Sequence, residues 1–165
     1  MTKQYVLDAD LLINASRNYY AFDIAPAFWS QLVAKGRGRA IFVDKVCSEI
    51  CKAGDQLSEW FQANAAAFAV KSSEDAEVTA AYSRIITAVE GNTTYFASAK
   101  AAFANSAESW LCAHALAYGY TVVTQEAFEP KSRHEVTVPN VCREFDLEYL
   151  DLFQLIRVLG IRFEA

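Results

Sequence analysis

Short apolar runs that stop abruptly at a polar residue, with helical periodicity between them, constrain this chain more than any other feature. Tyr5-Val6-Leu7 halts at Asp8, and Asp10-Leu11-Leu12-Ile13 restarts at once with the crowded apolar spacing of a helix. Ala40-Ile41-Phe42-Val43 halts at Asp44, after which Val46, Cys47, Ile50 and Cys51 fall on one helical face. Thr121-Val122-Val123-Thr124 follows Gly119, a plausible helix stop, and gives way to Gln125-Glu126. Runs with no polar alternation suit strands buried on both faces, and strands that alternate with helices build a parallel sheet wrapped by helices.

The same reading places the remaining elements. Residues 10–17 suit a short helix, and Pro26 opens a second that carries Phe28, Trp29, Leu32 and Val33 until Gly36 ends it. Asp44 reads as the N-cap of the next helix. Residues 55–68 and 74–89 continue helical, and Ser106 caps a helix containing Glu108, Trp110, Leu111 and His114. A loop with Pro130, a strand at Val136-Thr137-Val138 and a closing helix through Leu150, Phe153, Leu155, Ile156 and Leu159 complete the chain. No repeat, low-complexity tract or flexible linker interrupts it, so residues 1–165 are expected to form a single domain.

Composition narrows the function. The net charge of −5 argues against a broad phosphate-binding surface, although Lys35-Gly36-Arg37-Gly38-Arg39 and Lys131-Ser132-Arg133-His134 concentrate positive charge locally. No stretch approaches the ~18 apolar residues of a membrane span, and Asp8 and Asp10 interrupt the place where a signal peptide needs its apolar core, so a cytoplasmic protein is expected. The four cysteines, Cys47, Cys51, Cys112 and Cys142, lack metal-ligand spacing and read as reduced core thiols. A hydrophobic share of 53% leaves apolar surface for a protein partner or a second copy.

Four acids stand out from this background. Asp8 ends a buried strand, where a carboxylate needs strong hydrogen bonds or a ligand. Glu126 lies just past a second strand, and open parallel sheets bind ligands at the carboxyl ends of their strands, where the strand order reverses. Glu49 and Glu108 lie on helices that can point into the same crevice. Each also has a plain alternative: Glu49 can pair with Lys45 one helical turn away, and Glu108 can complement the positive end of its helix. Gathered together, the four would repel one another unless a cation bound among them, and hard oxygen ligands suit Mg²⁺ or Mn²⁺.

Taken in order, these segments resemble those of PIN domains. Tyr5-Val6-Leu7-Asp8-Ala9-Asp10 is similar to that family's opening strand and first acid, and Phe42-Val43-Asp44-Lys45-Val46-Cys47-Ser48-Glu49-Ile50 to the segment bringing the second. Ala107-Glu108-Ser109-Trp110 and Val122-Val123-Thr124-Gln125-Glu126 resemble the third and fourth. Tyr19 to Trp29 and Val138-Pro139-Asn140-Val141-Cys142 resemble a PIN-like subfamily. Glu108 departs from the family's usual Asp, and Glu126 is likewise a longer acid.

The resemblance implies an α/β fold, a three-layer α/β/α sandwich with a central, mainly parallel sheet. It implies a Mg²⁺- or Mn²⁺-dependent endoribonuclease acting on RNA, the toxin of a type II toxin-antitoxin pair, with an antitoxin partner and a homodimer. Asp8, Glu49, Glu108 and Glu126 would be the metal-binding and catalytic residues, with Asp10 and Thr124 in support. A noncatalytic PIN-like binding module and a DNA-directed nuclease of related fold are the alternatives.

Overall fold

In the computed structural model, which describes residues 3–163, the apolar runs form the centre of a parallel sheet. β1 (Tyr5–Leu7), β2 (Ala40–Val43) and β4 (Thr121–Val123) are buried along their whole length. β3 (Ala69–Lys71) and β5 (Tyr149–Leu150) form the more open edges. The order is β3-β2-β1-β4-β5 and every pairing is parallel. The chain therefore builds outward from β1 to β2 and β3, then returns to add β4 on the other side of β1. That reversal between β1 and β4 opens a crevice at the carboxyl ends of both strands.

Helices α1 (Ala9–Asn14), α2 (Pro26–Gly36), α3 (Asp44–Lys52) and α4 (Gln56–Asn64) make the first crossovers. α1 runs into a π-helical turn over Ala15–Tyr19, closed by Tyr20 N–H on the Ala15 carbonyl at 2.7 Å. α5 (Ala76–Gly91), α6 (Ala97–Ala104) and α7 (Ala107–Tyr118) form the long return to β4. α8 (Val138–Glu144) and α9 (Leu152–Leu159) flank β5. Packing on both faces of the sheet is apolar, with Trp29, Phe28, Phe42 and Leu111 among the largest buried side chains. No helix among the described residues is long and apolar enough to cross a membrane.

Local chemistry sets where the elements stop. Gly119 ends α7 at φ +74, a left-handed conformation that a side chain would strain. Ser106 caps α7 by accepting from Ser109 N–H, and Asp151 and Gln154 close a reciprocal capping box on α9. The basic segment at the end of α2 has a structural use: Lys35 donates to the Gly160 carbonyl and Arg39 to that of Val158, tying the end of α9 to the last turn of α2 and the start of β2.

Three local expectations are corrected and two elements are added. Val136-Thr137-Val138 is not a strand: Thr137 caps α8 by accepting from Asn140 N–H, and Pro139, which lacks an N–H, suits the first helical turn. Leu150 belongs to β5, because Asp151 starts the closing helix one residue later. β3 and α6 are additional elements. Asp44 is the first residue of α3 rather than its N-cap, and its carboxylate accepts from Ser73 N–H at 2.9 Å and from the Ser73 hydroxyl.

Candidate metal centre

The crevice at the strand-order reversal is acidic because four segments end there. Asp8 follows β1 in extended backbone, and its N–H still donates to the Val123 carbonyl of β4 at 3.1 Å. This holds the residue at the seam of the two central strands, 1% exposed. Asp10 lies in the first turn of α1, Glu108 in the first turn of α7, and Glu126 just past β4. One carboxylate oxygen from each of Asp8, Asp10, Glu108 and Glu126 lies within 4.8 Å of all the others.

Hydrogen bonds fix two of these acids and leave one atom without a partner. The Thr124 hydroxyl donates to Asp8 Oδ2 at 3.3 Å and accepts from Glu126 N–H at 3.1 Å, so one side chain links both strand ends. Glu126 Oε2 accepts from Val138 N–H at the start of α8 at 2.6 Å. Asp8 Oδ1 is buried with no hydrogen-bond partner. An orphaned buried carboxylate oxygen is costly, and a cation among the four acids would satisfy it.

The electrostatics agree with the geometry. Burial raises the Asp8 carboxyl well above the usual carboxylate range, and Glu108, Asp10 and Glu126 raise it further, against a smaller opposing effect of the Asp10 backbone. Burial likewise pushes Glu126 up to about 7, opposed by the Val138 N–H and reinforced by Glu108, Glu135 and Asp10. Such a cluster either takes up protons or binds positive charge. The donor set is all oxygen, the ligand type that hard divalent cations prefer. Cys112 and Cys142 are buried, and the hydrogen bond that the Cys112 thiol makes to Cys142, followed by burial, raises the Cys112 thiol, as expected of core cysteines.

Glu49 stands one step away. It is half-buried on α3, and after burial its carboxyl is raised by Glu108 and Asp10, so it shares their field without joining the four-acid group. It lines a neighbouring cavity of about 440 Å³ with Lys45, Ser48, Tyr82, Ser106 and Trp110. The structure thus brings together three of the four acids read from sequence and adds Asp10, which the sequence placed in support. The signal for Asp10 was its two-residue spacing from Asp8 across a strand-to-helix junction, which puts both carboxyls at one helix N-terminus. Of the second basic segment, His134 lines the acid-walled cavity with Glu108 and Glu126, its ring 4.9 Å from Phe96.

The family described as a domain of unknown function (DUF4411) matches residues 5–163. The chain belongs to this family. No curated protein matches the DUF4411 chain. Among solved structures it is similar to VapBC2 from Rickettsia felis, bound to a DNA fragment from their promoter, at 14% identity and a TM-score of 0.56 over 89% of this chain and 97% of that one. It is also similar to DNA-bound VapBC from Salmonella typhimurium, at 14% identity and a TM-score of 0.55 over 91% and 98%. At this identity the likeness concerns the fold, and the DUF4411 chain has the PIN-like α/β architecture of these neighbours, with a five-stranded parallel sheet between helices.

Proposed function

We propose that this protein is a Mg²⁺- or Mn²⁺-dependent endoribonuclease, the cytoplasmic toxin of a type II toxin-antitoxin pair, built as one PIN-like domain over residues 1–165. The observation that carries the reading is the convergence of Asp8, Asp10, Glu108 and Glu126 within 4.8 Å, together with the buried Asp8 Oδ1 that has no hydrogen-bond partner. The fold likeness to VapBC structures supports the toxin assignment and an antitoxin partner, and a homodimer belongs to the same proposal.

In this reading Asp8, Asp10, Glu108 and Glu126 hold the ion, and Glu49 borders it as a further catalytic carboxylate on the open side of the crevice. A bound divalent ion supplies an activated water and neutralises charge developing on the phosphodiester. Thr124 keeps Asp8 turned toward the site, and Val138 N–H does the same for Glu126. The surrounding acids repel RNA phosphates in the absence of the ion, which makes substrate binding near the centre depend on it.

The test is cleavage of a single-stranded RNA by the purified chain with Mn²⁺. Wild type should cut and lose activity in EDTA, and Asp8→Asn and Glu126→Gln should each lower kcat at least about 100-fold while the circular dichroism spectrum stays unchanged. A wild type inert on RNA but active on DNA would move the substrate assignment. Inert on both, the chain would be a binding module.

A further inference from the structure

We propose that the cavity between α3 and α7 is a nucleotide subsite, which takes one base and its phosphate from a single-stranded nucleic acid beside the acidic centre. The proposal rests on the nuclease reading for its substrate class, and on separate observations for its location.

The cavity holds about 440 Å³, within the ~300–1,000 Å³ range of small-molecule pockets. Ser106 lines both this cavity and the one walled by Glu108 and Glu126, so the two adjoin at the start of α7. A chain with its scissile phosphate at the acids would place a neighbouring nucleotide here.

The lining suits that occupant. Tyr82 and Trp110 stack with ring centroids 4.0 Å apart and 11° between planes, and the Tyr82 hydroxyl donates to the Ala104 carbonyl at 2.8 Å, so the pair is a fixed aromatic platform. Tyr82 covers one face of the indole, and the Lys45 ammonium lies 5.5 Å from the ring centroid. Lys45 is exposed, and although Glu49 is one helical turn away, the ion pairs among the described residues are Lys3–Glu148 and Arg17–Asp55. Lys45 is therefore a cation resting on an aromatic face, within the field of the neighbouring Asp44 carboxylate but with no ion-pair contact among the described residues. A base stacking on Trp110 would displace the ammonium toward the base's own phosphate, exchanging a weak contact for a charge-assisted one. Ser48 and the exposed Asn105 add polar groups at the rim.

The subsite reads no particular base, because an aromatic face and a point charge accept any nucleotide. It does discriminate single strands from duplex, since a base in a helix has no free face to offer.

Lys45→Gln and Trp110→Leu test it. Binding of a fluorescent single-stranded oligonucleotide is followed by anisotropy in Ca²⁺, and cleavage in Mn²⁺. Each variant should weaken binding and raise KM about tenfold with kcat within about twofold of wild type, and Lys45→Gln should reduce the salt dependence of binding by about one charge. Lys45 is exposed, so its variant reports on binding even if Trp110→Leu proves unstable. A wild type that cleaves, with Lys45→Gln matching it in KM, affinity and salt slope, overturns the subsite alone. A wild type that binds in a Lys45-dependent way without cleaving overturns the nuclease and keeps the subsite. Neither binding nor cleavage overturns both.

Discussion

A carboxyl group that is 1% exposed, with one oxygen unpartnered and three further carboxyls within reach, resists ionisation. The metal-free protein should show this directly. Asp8 and Glu126 have folded-state pKa values above their unfolded ones, so the folded chain binds protons first as pH falls. Stability is then full below the ordinary carboxylate range and is lost as pH rises through about 7, the value for Glu126. Melting temperatures in EDTA should accordingly rise as pH is lowered from 8 toward 5. Asp8→Asn should flatten that slope and stabilise the metal-free chain at pH 8 by about 1–3 kcal/mol, because a neutral amide replaces an uncompensated charge. An unchanged slope in differential scanning calorimetry would mean that Asp8 is not strained by its surroundings. Asp8 was legible in the sequence because a carboxylate at the end of an apolar strand must be held by strong hydrogen bonds or by a ligand. That Asp10 joins the four-acid group while Glu49 lies beside it was not, because the placement depends on how α1 and α3 pack against the strand ends, which residue type does not record.

At the scale of elements, α3 is fixed through its first residue. The Ser73 hydroxyl donates to Asp44 and lies 3.1 Å from His114 Nε2, joining the segment after β3 to the start of α3 and the middle of α7. Because the Ser73 hydroxyl gives its proton to Asp44, its oxygen is left to accept from His114 Nε2–H, and burial lowers the His114 pKa. Ser73→Ala would strand that donor and should cost about 1–3 kcal/mol in urea denaturation, with no change in the slope against denaturant. A loss below about 0.5 kcal/mol would show that α3 is held by apolar packing alone. No local pattern announces this tie, because its three members are separated by 29 and 41 residues. The same holds for β3, whose Ala-Val-Lys run has no apolar signature and is a strand only because Ile41, Phe42 and Val43 offer it an edge. α6 is a run of small residues whose helical face is cut out by packing. By contrast, Pro26, Ser106 and Gly119 act within their own turns, and the limits of α2 and α7 were readable from them. Val136-Thr137-Val138 misled because β-branched residues also suit a helix entry when a Thr cap and a following Pro are present.

Across the whole molecule, a strand order that reverses beside β1 is what turns scattered acids into a site. Tyr5 and Val6 pair with β2 on one side, and Tyr5, Val6 and Leu7 with β4 on the other, so the residues just past β1 and β4 are forced together. The helices that cross back must then begin at the same rim, which delivers Asp10 and Glu108. The alternation of apolar runs and helical stripes made the layered parallel sheet legible, while the order of its strands is set by pairings between distant segments and was not readable in any one of them. The central claim is that this rim binds a divalent cation, and isothermal titration calorimetry of Mn²⁺ into wild type and Asp8→Asn tests it most directly. Binding to wild type should be saturable at pH 8 and weaken as pH falls below about 7, where protons compete for Glu126, with a loss of at least about tenfold in affinity in Asp8→Asn. Equal affinity in the two proteins, or no heat of binding in either, would contradict it.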